Sequence, residues 1–142
     1  VRVSISNRQT ETPLRVRPLR SRLERALTLL PRPLPGGLDE IAIVFVDRAT
    51  IAQVHADFLG DPSETDVITF PYGEILVCPA VAREQAPAHG AALEDEVLLY
   101  ALHGILHLTG YDDTTPAAAR AMAKAQDALL KKVLAAKRGS KM

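Results

Sequence analysis

A stretch running from about Leu93 to Thr109 is apolar on nearly every side of a helix, with Val97, Leu98, Leu102, Ile105, Leu106 and Leu108 spread around its circumference. A helix with one apolar face can lie on a surface, but one that is apolar nearly all round is central and buried. Any fold for this chain has to be built around that helix. The same stretch carries His103 and His107. Four residues advance about 400° at 3.6 residues per turn, so both imidazoles leave the same face. Two polar rings on a buried helix need partners.

The following residues supply one. Gly110 stands where the helix would stop, because glycine takes the left-handed conformation readily, and Asp113 comes three residues later. His103-x3-His107-x2-Gly110-x2-Asp113 therefore offers two imidazoles and a carboxylate, with a coordination position left open. Three protein ligands plus water is the arrangement of catalytic rather than structural zinc, and one Zn2+ per chain is the expected cofactor. A His-x3-His pair alone would be unremarkable; the helix stop and the carboxylate make it a candidate site. Asp112 is the rival third ligand, although an Asp there suits the turn, where its side chain bonds nearby backbone N–H groups. His55 and His89 fall outside the motif and read as surface residues.

Length and composition bound the rest. At 142 residues the chain has enough material for one core but not two, so residues 1–142 are expected to form a single domain. No run approaches the roughly 18 to 20 apolar residues that span a bilayer. The start, Val-Arg-Val-Ser-Ile-Ser-Asn, alternates like a strand and lacks the apolar stretch of a secretory signal. A lone cysteine, Cys78, makes no internal disulfide, which points to a reducing cytoplasm. It lies in an apolar strand pattern and reads as a small core residue.

The order of elements can be followed along the chain. A first strand spans about 1–6, and Pro18 lies in the first turn of a helix that places Leu19, Leu23, Leu27 and Leu30 on one face and Arg20, Arg22 and Arg25 on the other. Pro31, Pro33, Pro35 and Gly36-Gly37 stop it. Ile41 to Val46 is a buried strand, and Asp47 caps a helix that carries Ile51, Val54 and Phe58 on one side and ends at Gly60. Strands Val67 to Phe70 and Ile75 to Cys78 flank Pro71-Tyr72-Gly73, which predicts a hairpin or sharp corner. Residues 79–89 form a short helix, and Thr115-Pro116 opens a last one with Met122, Leu129 and Val133 inward and a basic tail that suits the negative end of its dipole. Four strands among about five helices predict a layered α/β (α+β) domain with a small mixed sheet.

Net charge is zero, but its distribution is uneven. Residues 1–32 hold eight arginines and two acids, residues 39–66 hold seven acids and one arginine, and from Arg120 onward seven basic residues face Asp127 alone. Two basic ends could form a stripe that contacts phosphates. Solvated helix faces are the plainer account of charge by itself.

A metal with an open position lowers the pKa of bound water and polarises a carbonyl or phosphoryl oxygen, so hydrolysis is the expected reaction class. The spacing is that of the metzincin peptidases, whose general-base glutamate follows the first histidine. Here that position is Gly104, which cannot take a proton. Glu96, about two turns earlier, is too far along the helix to replace it. A zinc peptidase or amidase is the alternative reading rather than the first.

The run His103-Gly-Ile-Leu-His107-Leu-Thr-Gly-Tyr111-Asp112 resembles the signature of the YbeY family of bacterial metal-dependent endoribonucleases. Phe58-Leu59-Gly60 is similar to that family's Tyr-Arg-Gly block, Thr65-Asp66-Val67-Ile68-Thr69-Phe70-Pro71 to its Thr-Asp-Val-Leu-Ser-Phe strand, and Gly73-Glu74-Ile75 to its Gly-Asp-Ile strand. The likeness covers roughly residues 40 to 135. It implies a zinc-bearing α/β domain acting on ribosomal RNA of the small ribosomal subunit, in rRNA maturation and ribosome quality control. Two departures stand out. The family has a third histidine where Asp113 stands, and a carboxylate there keeps metal binding while weakening the ion as a Lewis acid. Leu59 replaces an arginine that would suit a phosphate oxygen. A non-catalytic, metal-binding ribosome-associated factor is therefore a further alternative. Thr69 and Asp66 either border the cleft or serve strand and turn chemistry.

Overall fold

The computed structural model describes residues 1–61 and 65–139. Glu64 of the acidic middle and Lys141 of the basic tail lie outside the described residues. The elements follow as β1 (Arg2–Asn7), α1 (Val16–Leu27), β2 (Glu40–Phe45), α2 (Arg48–Leu59), β3 (Val67–Thr69), β4 (Glu74–Val77), α3 (Pro79–Gln85), a 3-10 turn (Ala86–His89), α4 (Leu93–Leu108) and α5 (Pro116–Gly139). The expected four-stranded mixed sheet and five helices are present. The order across the sheet is β1-β2-β4-β3, with β1 and β4 parallel to β2 and β3 antiparallel to β4. The turn from Phe70 to Gly73, closed by Gly73 N–H donating to the Phe70 carbonyl at 2.9 Å, is the expected hairpin.

Strand side chains alternate, and the alternation sorts the core into two layers. Ile41, Ile43 and Phe45 of β2 and Ile75 and Val77 of β4 face a cluster shared with α1, α4 and α5. Val44, Leu76 and Cys78 point the other way, into a smaller cluster with Ile51 of α2 and Ile68 of β3. Burial pushes the Cys78 thiol above its ordinary range, consistent with an unreactive core residue. Helix α4 is the central element: Val97, Leu98, Leu102, Ile105 and Leu106 are each 0% exposed. Its first turn carries Glu94, Asp95 and Glu96, which suit the positive end of the helix dipole. Asp47 caps α2 by accepting from Thr50 N–H at 2.8 Å, and these hydrogen bonds hold its carboxyl below the usual range.

Four details differ from the sequence expectation. Helix α1 stops at Leu27, so Leu30 lies beyond it, and Ala26 takes the third fully buried position after Leu19 and Leu23. The 79–89 segment divides into α3 and the 3-10 turn. Phe58 does not face the core with Ile51 but is 68% exposed. Its ring instead meets Phe70, just after the edge strand β3, edge to face. Finally, the α1 arginines are not a uniform solvated or RNA-facing set. Arg22 donates to Asp95 of α4 at 2.6 Å, and Arg20 donates to the Val3 carbonyl at 3.0 Å. Among the described residues no helix is long and apolar enough to cross a membrane.

Candidate metal centre

The C-terminal end of α4 is closed by a turn that also shapes the site. Gly110 N–H donates to the His107 carbonyl at 3.0 Å and Tyr111 N–H donates to the Leu106 carbonyl at 3.2 Å. This pair of bonds is a Schellman motif, which needs a left-handed residue at Gly110, where φ is +104°. The turn folds the chain back over the helix end. It thereby returns the Tyr111 carbonyl to His107 and swings Asp113 toward the two imidazoles.

His103, His107 and Asp113 each offer a ligand atom, and these atoms all lie within 4.8 Å of one another. The imidazoles are half-buried and the carboxylate is exposed. What lies behind each ring decides what its front can do. His107 Nδ1 is 3.1 Å from the Tyr111 carbonyl oxygen, and a carbonyl can only accept, so Nδ1 carries the proton. His103 Nδ1 is 2.7 Å from Gln126 Oε1 on α5, which accepts in the same way. Both Nε2 atoms are then left with lone pairs, and they face each other at 3.2 Å. Two lone pairs at that distance repel unless a proton or a cation sits between them. With a carboxylate as third neighbour, the donor set fits a divalent cation that takes imidazole and carboxylate ligands. The residues present therefore suit the metal that the motif implies.

Asp112 takes the other role foreseen for it. Its Oδ1 accepts from Thr114 N–H at 3.1 Å and from the Thr114 hydroxyl at 2.8 Å, and these bonds hold its carboxyl below the usual range. It organises the turn and does not join the ligand group.

The triad lies in a cleft of about 670 Å3 that straddles β3. One wall is α4 with the ligand loop; the other is the end of α2, including His55, Phe58 and Leu59. Asp66 and Thr69 line the floor. The Thr69 hydroxyl is also close to α4: a Cβ added at Gly104 would stand 2.8 Å from Thr69 Oγ1 and 2.8 Å from Ile75 Cγ2. Gly104 is what lets α4 seat this tightly against the sheet. No space exists there for the glutamate of a peptidase.

Three features escaped the sequence reading. Gln126 orients His103, and its signal was available, since 126 lies on the inner stripe of α5 with Met122, Leu129 and Val133. His55 is a wall of the cleft rather than a simple surface residue. His89 is half-exposed but faces inward through Nδ1, which lies 2.9 and 3.1 Å from the two oxygens of Glu96, a carboxylate only 1% exposed. Burial, with the Glu96 carboxylate second, pushes the neighbouring Tyr100 hydroxyl well above the ordinary phenol range.

Comparison with known proteins identifies the chain's relatives. Residues 4–134 match the family model described as Endoribonuclease YbeY. Proteins named endoribonuclease YbeY that resemble the chain include one from Renibacterium salmoninarum, 38% identical over 94 residues that cover 54% of this chain and 60% of that protein. Another, from Protochlamydia amoebophila, is 45% identical over 86 residues, 53% of this chain and 57% of its own length. The matched region thus spans about three fifths of these relatives. The solution structure of TM1509 from Thermotoga maritima superposes with a TM-score of 0.68 at 28% identity, covering 97% of this chain and 93% of that one.

Proposed function

Because the chain belongs to the YbeY family, we propose that it is a metal-dependent endoribonuclease in which residues 1–142 work as one hydrolase domain. His103, His107 and Asp113 hold a single zinc ion, and the substrate is ribosomal RNA of the small subunit, cut during maturation and quality control in the cytoplasm. The observation that carries the metal reading is the pair of imidazoles anchored from behind, with facing Nε2 lone pairs 3.2 Å apart.

A bound zinc ion would supply Lewis acidity, making water a stronger acid and drawing charge from a phosphoryl oxygen. The chain's own residues do the positioning. Gln126 and the Tyr111 carbonyl fix the tautomer and the tilt of the two rings, the kind of outer support that sharpens metal affinity. Thr69 presents a hydroxyl on the cleft floor, able to donate to a phosphate oxygen. Leu59 offers no donor, so on that wall His55 is the polar side chain beside the apolar Phe58 and Leu59. Peptide hydrolysis is disfavoured by Gly104, which leaves no room for a general base beside His103.

The test is cleavage of small-subunit ribosomal RNA by purified, metal-analysed protein, with and without chelator, beside casein as a control. Zinc near one equivalent, with RNA cut, chelator stopping it and casein intact, is the expected result. Ribosome association without any metal-dependent cutting would transfer the protein to the class of non-catalytic factors.

A further inference from the structure

Of the chain's three phenylalanines and three tyrosines, Phe58, Phe70 and Tyr72 stand together at one mouth of the cleft. The Phe70 ring meets Phe58 edge to face, with centroids 5.3 Å apart and planes at 77°. It stacks on Tyr72, with centroids 5.5 Å apart and planes at 19°. The Tyr72 hydroxyl donates to Glu74 Oε1 at 2.9 Å, which steadies its ring. Phe58 is 68%, Leu59 64% and Tyr72 69% exposed, and Val1 is the one other large apolar side chain so exposed among the described residues. Exposed apolar surface is thus concentrated beside the triad, and a contiguous patch of this kind marks a contact.

The chemistry of the cleft indicates which contact. Among the described residues no lysine or arginine lines it. The nuclease reading puts RNA in this cleft, and with no lysine or arginine there to hold the backbone, the exposed rings are placed to grip its bases. Nucleobases have flat π-faces, and stacking on aromatic rings is the usual way to hold single strands without reading sequence. A partner protein would need a far broader surface than these few side chains. We propose that Phe58, Phe70 and Tyr72 form a stacking platform for one unpaired nucleobase of single-stranded RNA, next to the phosphate presented to His103, His107 and Asp113. The substrate class rests on the nuclease reading. The platform selects strands whose bases are free, because a base inside a duplex is already stacked.

The chain contains no tryptophan, so Phe58→Trp installs a unique fluorophore on the platform. Zinc-loaded protein is titrated with a short 2′-O-methyl oligoadenylate, which resists cutting, with an abasic backbone of equal length, and with a duplex. The oligoadenylate should quench Trp fluorescence and the other two should not. Phe58→Ala and Tyr72→Ala should each weaken oligoadenylate binding by between about fivefold and a hundredfold. Tyr72→Phe keeps the ring and should bind more tightly than Tyr72→Ala, and unchanged metal content shows that the variants fold. Equal affinity for abasic and base-bearing strands, or parental affinity in both alanine variants, would overturn the platform. If those variants also cut RNA at the parental rate, the nuclease reading survives alone. If the parent stacks the oligonucleotide yet cuts no RNA, the platform survives and the nuclease reading falls. Unchanged RNA affinity combined with self-association that Phe58→Ala abolishes would overturn the proposal in favour of a protein contact.

Discussion

Near the start of α4, the buried Glu96 carboxylate turns both oxygens to His89 Nδ1, at 2.9 and 3.1 Å. Near its end, His103 and His107 are anchored through Nδ1 yet leave Nε2 toward a shared, open point. Both regions involve titratable groups carried by a largely apolar helix, Glu96 with His89 of the preceding turn in the first and His103 with His107 in the second. In the first, the carboxylate and the imidazole are each other's partner, a closed contact. In the second, hydrogen bonds are used only to aim the rings, and the side facing the cleft is left for something else. A buried polar group is thus a structural element when its partners complete it and a functional one when they only orient it.

The comparison breaks first, and most visibly, at the histidines. His103→Ala or His107→Ala should take bound zinc from about one equivalent to near none, measured by elemental analysis, and abolish any chelator-sensitive RNA cleavage. Without the ion the apparent melting temperature should also fall, because a ligand that binds only the folded state stabilises it. Parental metal content in both variants would remove the functional half of the contrast.

A second test separates neighbouring carboxylates. Asp113→Ala should lose most of the metal and Asp112→Ala should retain it, because Asp112 is committed to Thr114. The reverse outcome moves the third ligand by one residue.

Gln126→Leu sharpens the contrast further, since it removes the aim without removing a ligand. Zinc affinity should drop by about 10- to 100-fold in a competition titration. Denaturant stability of the metal-free protein should change little. A loss of stability at constant zinc affinity would make Gln126 a packing residue like those around it.

The smallest effect belongs to the closed region. His89→Ala strips a half-exposed partner from a buried carboxylate and should destabilise the fold by about 1–2 kcal/mol, with solvent reaching the pair limiting the cost. Zinc content should not move. If it does, the two ends of α4 are coupled and the distinction between them fails.

Which parts of this were readable in the sequence follows from how local each one is. The candidate metal face needed only helix periodicity and a glycine stop, both set within eleven residues, so the grouping of His103, His107 and Asp113 and the turn role of Asp112 could be anticipated. The strands and helices were legible for the same reason. Strand order was not, since nothing local says that β4 inserts between β2 and β3. Phe58 misled because periodicity reports which side of a helix is apolar, not where the sheet beneath it ends. Gln126 was a polar residue on an apolar stripe, a signal whose partner lay 23 residues away on another helix. The aromatic cluster joins α2 to the hairpin turn and had no periodic signature at all.

The cleft straddles a strand that has a neighbour on one side only. Unpaired backbone along such a border can recruit a strand from another molecule, which is how sheets grow into aggregates. A cleft of this design therefore keeps a self-assembly hazard beside its working groups. Here the exposure is short: β3 is three residues long, and Pro71, which has no N–H to give, follows shortly after it. Lengthening β3 or replacing Pro71 would extend the border that a foreign strand could copy.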